Sequence, residues 1–200
     1  MLGVGIKYHK DQEIKHQSFV ILSNDTKHDT AAVYTGYQKI QNWIQSEVPE
    51  VKHVHIVSAG CAAQFKNRFQ FSNIANHEAD FGHTASWHFT PTGHGKSEVD
   101  GINGVLKKQA REESLRLGDR NFITSAEGFL KFMETHKTSS SEDLQETNNN
   151  EILKQRWASA VQIKGTQKFQ SFEHDPNSTK HLFVRYFSSS DEFKRVKSCK

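Results

Sequence analysis

The sequence predicts an α/β fold in which a mixed sheet is flanked by helices. Three observations support this prediction. Short segments such as "HVHIVSA" have the length and the β-branched content of strands. Longer segments such as residues 31–45 repeat apolar side chains at helical spacing, at Val33, Tyr37, Ile40 and Ile44. The two kinds of segment alternate along the middle of the chain, which is the order typical of α/β folds.

The elements follow one another with clear polar boundaries. Strands are predicted at residues 2–8, 17–23, 52–59 and 85–91. Helices are predicted at residues 31–45, 62–76, 98–116 and 124–135. The first two strands are separated by the polar stretch "HKDQEIKH" and are expected to form a hairpin.

The chain is predicted to contain one main domain and a small extension. Residues 136–151, "HKTSSSEDLQETNNNE", are almost free of apolar side chains and are predicted to form a linker. The main domain then covers residues 1–135. Residues 152–200 form the extension, a β-rich tail with a helix and two strands at 161–172 and 180–188.

The composition excludes several classes of protein. The net charge is +3, which is compatible with nucleic-acid binding without being diagnostic of it. There are two cysteines, Cys61 and Cys199, and no CxxC pair, which argues against a disulfide framework and favours a reducing, intracellular compartment. The start "MLGVGIKYHK" is too polar for a signal peptide, and no apolar stretch is long enough to form a transmembrane helix.

One predicted helix presents an unusual polar stripe. Asp100, Gly104, Lys107 and Arg111 lie on one side of helix 98–116. Gly104 and the nearby Gly101 each cost about 1 kcal/mol relative to alanine inside a helix. A metal-binding acid beside phosphate-binding cations would look like this, and a solvated polar face fits the pattern equally well.

The turn before this helix resembles a phosphate-binding loop without completing one. Residues 90–97 read "TPTGHGKS", and the phosphate-loop pattern requires glycine where Thr90 stands. We therefore expect no closed loop around a triphosphate here.

A longer block carries a more specific resemblance. The segment "HVHIVSAGCAAQFKNRFQFSNIANHEADFGHTASWHFTPTGHGKSEVDGINGVLKKQARE" resembles a family of transposon-derived proteins found in many animal genomes. The shared pattern reads roughly S-D-G-x-x-x-Q-F-K-N/Q, then W-H-F-x-x-x-x-H-G-K-x-x-x-D-G-x-x-G. Such proteins are similar to DDE-type transposases, and this resemblance implies a ribonuclease-H-like fold.

The resemblance also implies a mechanism, and this chain departs from it. DDE-type strand transfer uses two Mg²⁺ ions held by three carboxylates. The resemblance maps the second carboxylate to residue 59, where this chain has Ala59, and the third to Asp100. Glu78, Asp80 and Glu98 remain as surrogate ligands to be tested. An ancestral active form would bind Mg²⁺, but no cofactor is expected for this chain.

The resemblance implies that the first carboxylate lies on a first strand, and residues 2–8 are expected to correspond to the second strand of that fold. In this fold the missing strand is the central one, because the sheet order is 3-2-1-4-5. Unpaired strand edges are costly, so either an upstream segment, residues 159–165 or residues 181–187 fills the gap, or the domain folds poorly alone. Exposed edges would also favour self-association.

The sequence therefore predicts a catalytically inactive remnant that binds DNA without sequence specificity. The expected phosphate contacts are Lys66, Arg68, Lys96, Lys107, Lys108 and Arg111. Trp87 and Phe89 are expected to pack within the sheet rather than to stack on bases. The alternatives are a vestigial or protein-interaction module and, ranked last, a residual Mg²⁺-dependent nuclease.

Overall fold

The computed structural model describes residues 2–23, 27–91, 98–118, 122–135, 141–143, 150–187 and 189–200. The helices are α1 (Thr30–Glu47), α2 (Arg68–Ala75), α3 (His77–Phe81), α4 (Glu98–Leu117), α5 (Ala126–Thr135) and α6 (Asn150–Ala158). The strands are β1 (Leu2–Lys10), β2 (Glu13–Leu22), β3 (His53–Ala59), β4 (Thr84–Thr90), β5 (Ser141–Asp143), β6 (Ser171–Asp175), β7 (Ser178–Arg185) and β8 (Lys194–Lys197). The mixed α/β class predicted from the sequence is confirmed.

The chain forms two compact units. Unit 1 comprises Met1–Thr26 and Lys96–Glu146, and unit 2 comprises Lys27–Gly95 and Thr147–Lys200. This division differs from the predicted boundaries of 1–135 and 152–200. The C-terminal segment joins residues 27–95 in one unit because its strands pair with theirs.

Unit 1 contains a three-stranded sheet in the order β1-β2-β5. The predicted hairpin is confirmed, and only Asp11 and Gln12 connect its strands. Both residues have positive φ, 56° and 64°, as a two-residue type I′ hairpin turn requires. The tight turn lets the ladder extend through residues that the sequence placed in the connection. The hairpin pairs with β5, and β3 lies in the other sheet. The predicted order 3-2-1-4-5 would instead place the hairpin and β3 in one sheet.

The core of unit 1 lies between the hairpin, α4 and α5. The cluster is formed by Val20, Leu22, Leu106, Ala110, Phe132 and Met133. Helix α4 also approaches β1 at Gly3, where Val99 and Asn103 fill the space that a Cβ atom would occupy. This glycine therefore sets the distance between the helix and the strand.

Unit 2 contains a five-stranded mixed sheet in the order β3-β4-β6-β7-β8. Strands β3 and β4 are parallel, and the remaining neighbours pair antiparallel. Of the two segments proposed to fill the missing central position, residues 181–185 belong to β7, between β6 and β8. Residues 159–165 contribute only the bridge between Ala160 and Cys199. Neither lies beside β3, because the C-terminal strands extend the sheet from the edge of β4.

The C-terminal segment supplies three of the five strands of this sheet, β6, β7 and β8, and does not form a separate tail. The ring of Phe172 on β6 stacks on that of Phe71 on α2, with centroids 4.2 Å apart and planes 9° from parallel. Both side chains are fully buried, as is Leu182 on β7. Helices α1 and α2 cover this face, and the core includes Val33, Trp87 and other apolar side chains.

Two predicted boundaries in unit 2 were wrong for local reasons. The helix predicted at 62–76 begins at Arg68, because the Asn67 side chain accepts hydrogen bonds from the backbone N–H groups of Phe69 and Gln70, both at 3.0 Å. The strand predicted at 161–172 is interrupted by Gly165, whose φ of 76° lies in the left-handed region. A short 3-10 turn follows, and β6 starts only at Ser171.

Substituting Gly3 with alanine is expected to destabilise the protein by about 1–3 kcal/mol, because the new Cβ would lie 2.6–2.7 Å from Asn103 and Val99 side-chain atoms. Gly5→Ala is the matched control, since its Cβ would lie 3.4 Å from the nearest atom. Chemical denaturation of both variants measures the difference. Equal stabilities would contradict the close packing of α4 on β1.

Acid is expected to destabilise unit 2 through His77, which is 3% exposed. Its Nδ1 donates to the His83 carbonyl and its Nε2 accepts from the Tyr37 hydroxyl, both at 2.8 Å. Burial lowers the pKa of His77 to about 4. The unfolded chain therefore binds this proton first, and stability is lost as the pH falls from about 6.5 towards 4.

The expected loss from this group is about 2 kcal/mol between pH 7 and pH 5. Chemical denaturation of the wild type and of His77→Leu at both pH values isolates the contribution of His77 to the free energy of unfolding. The variant is less stable at pH 7, because the Tyr37 hydroxyl loses its partner, but its stability should depend less on pH. An unchanged pH dependence would refute the assignment.

Candidate functional site

The position predicted to have lost its aspartate lies at an accessible end of the unit 2 sheet. Ala59 is the last residue of β3, opposite Thr90 at the end of β4, and it is exposed. The neighbouring Ser58 hydroxyl accepts a hydrogen bond of 2.8 Å from Trp87 Nε1. The side chain of Ala59 offers no metal ligand at this end of the sheet.

Two predicted phosphate contacts in unit 2 have different surroundings. Lys66 is only 8% exposed, and its ammonium lies 5.3 Å from the centroid of the Phe89 ring. Burial lowers the pKa of Lys66. Arg68, by contrast, is exposed at the start of α2 and stacks over Phe69 at 4.7 Å. Only Arg68 is therefore presented to solvent.

The remaining predicted contacts lie on α4 of unit 1 or outside the described residues. Lys107, Lys108 and Arg111 are all exposed. Lys108 Nζ lies 3.8 Å from Glu112 Oε1. Lys96, like most of the "TPTGHGKS" segment, lies outside the described residues, and so does the side chain of Glu98.

The polar stripe on α4 faces outwards over its whole length. Asp100, Gly104, Lys107 and Arg111 are exposed. A Cβ atom at Gly101 or Gly104 would meet nothing within 4 Å. Packing against a sheet therefore does not explain these two glycines. Asp100 lies in unit 1 and Ala59 in unit 2, so the two mapped carboxylate positions belong to different units.

The surrogate acid Asp80 is engaged in a partly buried polar cluster. Arg156 Nη1 and Nη2 contact the two carboxylate oxygens of Asp80 at 2.7 and 2.6 Å. The Tyr34 hydroxyl donates to the same carboxylate at 2.8 Å. The pKa of Tyr34 rises to about 12, because the residue is buried and lies beside the Asp80 charge. Arg156 and Asp80 are 11% and 16% exposed, so this carboxylate neutralises a nearly buried cation.

The second surrogate acid, Glu78, contacts a buried histidine. His174 Nε2 lies 2.8 Å from Glu78 Oε2, and His174 Nδ1 lies 3.1 Å from the Ala75 carbonyl oxygen. Glu78 therefore helps to attach β6 to the α2–α3 region. Neither surrogate acid is held ready for a metal ion.

The outer face of the unit 2 sheet carries a histidine cluster that was not predicted from the sequence. His53 and His55 on β3 and His88 on β4 surround the Ser86 hydroxyl. The three ring nitrogens lie 3.0, 2.8 and 3.0 Å from Ser86 Oγ. The available signal was the alternation of His53 and His55 along β3 and of Ser86 and His88 along β4, because alternate residues of a strand share one face.

One proton arrangement satisfies the Ser86 hydroxyl, although it leaves the buried His88 Nδ1 without a hydrogen-bond partner. His53 Nδ1 donates to Thr84 Oγ1 at 2.7 Å, which leaves His53 Nε2 to accept from the Ser86 hydroxyl. Ser86 Oγ then accepts from His55 Nδ1 and His88 Nε2. Burial is the main cause that lowers the pKa of both His53 and His88. Since Ser86 is itself buried, the cluster organises the sheet surface rather than presenting a nucleophile.

A metal centre is not formed in the part of the chain that the structure describes. Within the described ranges, no three His, Cys, Asp or Glu side chains are arranged to hold a metal ion. None of the helices in those ranges is both long and apolar enough to cross a lipid bilayer. Cys61 is exposed and Cys199 is buried, and both are free thiols.

Residues 3–188 match a protein family described as a domain of unknown function, DUF8701. The chain belongs to this family. No curated protein and no solved structure matches the chain. The match includes segments of both units, whereas β8 lies beyond its end. The family domain therefore contains most of both sheets.

The partners of the surrogate acids were not visible in the sequence. Arg156 follows Asp80 by 76 positions, and His174 follows Glu78 by 96. No local spacing rule relates residues so far apart. The expectation that Trp87 and Phe89 pack within the sheet is confirmed, since both are buried in the core of unit 2.

Replacing Asp80 with asparagine is expected to destabilise the protein by about 3 kcal/mol, because Arg156 would keep its charge and lose its counter-ion. The matched control is Glu151→Gln, whose exposed pair with Lys154 at 2.8 Å should contribute less than about 1 kcal/mol.

Chemical denaturation with and without Mg²⁺ provides the readout. Mg²⁺ is expected to leave the stability of the wild type unchanged, because Asp80 is committed to Arg156. A stabilisation by Mg²⁺ that Asp80→Asn abolishes would instead identify Asp80 as a metal ligand.

Proposed function

We propose that this chain is a nucleic-acid-binding remnant of a DDE-type transposase, derived from a ribonuclease-H-like domain, that has lost metal-dependent strand transfer. The proposal joins the sequence resemblance to three features of the two units. These are the missing carboxylate at Ala59, the contacts of Asp80 with Arg156 and of Glu78 with His174, and the exposed cations of α4.

The loss of strand transfer is supported by the carboxylate positions that the structure describes. Two Mg²⁺ ions need several oxygen ligands that converge within a few ångströms. Ala59 supplies a methyl group, Asp80 is held by Arg156, and Glu78 contacts His174. Asp100 remains as the mapped acid, and one carboxylate binds Mg²⁺ weakly.

The exposed stripe of α4 is the observation that carries the binding proposal. Lys107 and Arg111 are four positions apart, so two like charges lie side by side on the helix surface and destabilise it slightly. Within the described residues neither forms a salt bridge. Gly101 and Gly104 lower helix stability further without a packing role.

A stripe that weakens its own helix is typical of a functional surface. Two adjacent cations beside a bare helix backbone suit phosphate groups, which accept charge-assisted hydrogen bonds from lysine and arginine. The positive balance of the chain lies in unit 2, with fifteen Lys and Arg residues against ten Asp and Glu residues, whereas unit 1 has eleven against thirteen. Binding of this kind is expected to be sensitive to salt and weakly selective for sequence.

The test is fluorescence anisotropy of a labelled random-sequence DNA duplex titrated with the full chain over a salt series, with and without EDTA. The double variant Lys107→Gln/Arg111→Gln should weaken binding and reduce the salt slope by about 2, since each phosphate contact contributes about 0.9. EDTA should have no effect, because no metal takes part.

Lys131→Gln is the matched control, because Lys131 is an exposed lysine on α5 of the same unit. The control should bind like the wild type. An equal loss of affinity per charge removed in both variants would mean that only the overall charge matters and that α4 is not the contact surface. No binding by the wild type at low salt would overturn the proposal and favour a vestigial or protein-interaction module.

A further inference from the structure

Strand β3 forms one edge of the unit 2 sheet. Within the described residues, β4 is the only strand that pairs with it, through an unbroken parallel ladder from His53 to Ala59. Val54 and Ile56 face the core side but are only half-buried, and Val57 on the outer face is 65% exposed. On β4, which has a strand on each side, the side chains that face the core are buried. Over the described ranges, β3 therefore lacks the neighbour that would complete the burial of its own side chains.

The backbone groups of β3 alternate between β4 and the open edge. The Lys52 carbonyl accepts from the Thr84 N–H at 3.2 Å, and the Ser58 carbonyl accepts from the Thr90 hydroxyl at 3.4 Å. The even-numbered residues therefore direct their backbone groups at β4. The odd-numbered residues from His53 to Ala59 direct their N–H and C=O groups away from the sheet. Such a row of outward groups is a template for another strand.

The other three edges of the two sheets that the structure describes carry features that oppose strand pairing. β8 has four residues and reads "KRVK", and β5 has three residues. β1 is longer but contains Lys7 and Lys10. Natural proteins protect exposed edges with short strands and with lysine. β3 reads "HVHIVSA" and contains no Lys, Arg, Asp, Glu or Pro, so it is the unprotected edge.

The two histidines of β3 do not protect this edge either. His53 Nδ1 lies 2.7 Å from Thr84 Oγ1, and His55 Nδ1 lies 2.8 Å from Ser86 Oγ. Both hydroxyls belong to β4, so the imidazole rings are directed over the sheet and away from the open edge. A second strand can therefore approach the backbone of β3 from that side.

We propose that β3 pairs with β3 of a second copy of this chain, in antiparallel orientation and centred on Ile56. In this register His55 lies opposite Val57 of the partner subunit, and His53 lies opposite Ala59 of the partner subunit. The outward N–H and C=O groups of the two strands then bond to one another. Ile56 lies opposite its own counterpart in a non-hydrogen-bonded pair, where facing side chains approach most closely.

The self-complementarity of β3 argues for a second copy as the occupant. All seven residues of the strand find a partner in this register, and no like charges face each other because the strand has no Lys, Arg, Asp or Glu. A strand from another protein would have to match this uncharged pattern, whereas a copy matches it by symmetry. The pairing engages the open edge of each copy. Since the remaining edges are short or contain lysine, association is expected to end at a closed dimer.

The test is sedimentation velocity of the full chain over a concentration series, without nucleic acid. The wild type should shift from the chain mass of 22.8 kDa to twice that mass. Val57→Pro should remain monomeric, because the Val57 N–H points to the open edge and its loss spares the ladder with β4. Val57→Lys should weaken dimerisation about tenfold or more, since the twofold axis repeats the lost contact with His55.

Ile14→Lys is the matched control for the lysine variant. Ile14 is an apolar strand residue that is 71% exposed, but it lies on β2, which has a strand on each side. The control should dimerise like the wild type. Far-UV circular dichroism of every variant shows whether the fold is retained, and Val57→Lys keeps the test decisive if Val57→Pro fails to fold.

Disulfide trapping tests the register. Cys61 is exposed, so the experiment uses a Cys61→Ser background, whereas Cys199 is buried. Ile56→Cys should form a covalent dimer on oxidation, because residue 56 lies directly opposite its counterpart. Val57→Cys is the matched control and should not, since its counterpart lies two positions along the partner strand. The Cα atoms are then about 7–8 Å apart, which is too far for a disulfide.

A concentration-dependent dimer that both Val57 variants disrupt and that Ile56→Cys traps supports the pairing. A monomer at every concentration would overturn it and leave the edge to a strand from another protein. A dimer that survives Val57→Pro, or trapping through Val57→Cys instead of Ile56→Cys, would also refute it. The inference goes beyond the proposed function and does not rest on it, because every measurement is made without nucleic acid.

Discussion

The structure of unit 2 depends on the antiparallel pairing of β6 with β4. This pairing places Phe172 opposite Trp87 and beneath Phe71, so the C-terminal segment supplies the centre of the core. The same register places Glu173 opposite Ser86 on the other face. One face of the sheet therefore becomes apolar and covered by α1 and α2, while the other carries the histidine cluster. Because neighbouring strands share faces, a one-residue shift would exchange the two surfaces.

The same arrangement determines which charged residues are available for binding. Asp80 resembles a surrogate ligand in the sequence, but α6 brings Arg156 against it and converts it into a structural counter-ion. Lys66 resembles a phosphate contact, but its ammonium lies against the Phe89 ring. Basic residues on α4 and β8 remain in solvent. The exposed cations thus occur in both units, and the proposed function uses those of α4.

The sequence-based predictions were accurate where the deciding interactions join near neighbours in the chain, and inaccurate where they join distant residues. Helix α1 was predicted almost to its ends, because periodic apolar side chains and the cap residue Asp29 act within a few positions. Helix α2 was predicted six residues too early, because Asn67 ends the preceding turn by accepting from Phe69 and Gln70. The histidine cluster was visible only as alternating polar residues, His53 and His55 on one strand and Ser86 and His88 on another.

The sequence by itself determined the mixed α/β class, the positions of β1 to β4, the polar face of α4 and the methyl group at Ala59. These features depend on residue identity and on contacts between near neighbours. The tertiary structure alone decided that the hairpin and β3 belong to different sheets and that β6 extends the sheet from β4. It also decided that Arg156 neutralises Asp80. Each of these depends on contacts between residues many positions apart. Such segments pair because they bury side chains against each other, which local sequence does not determine.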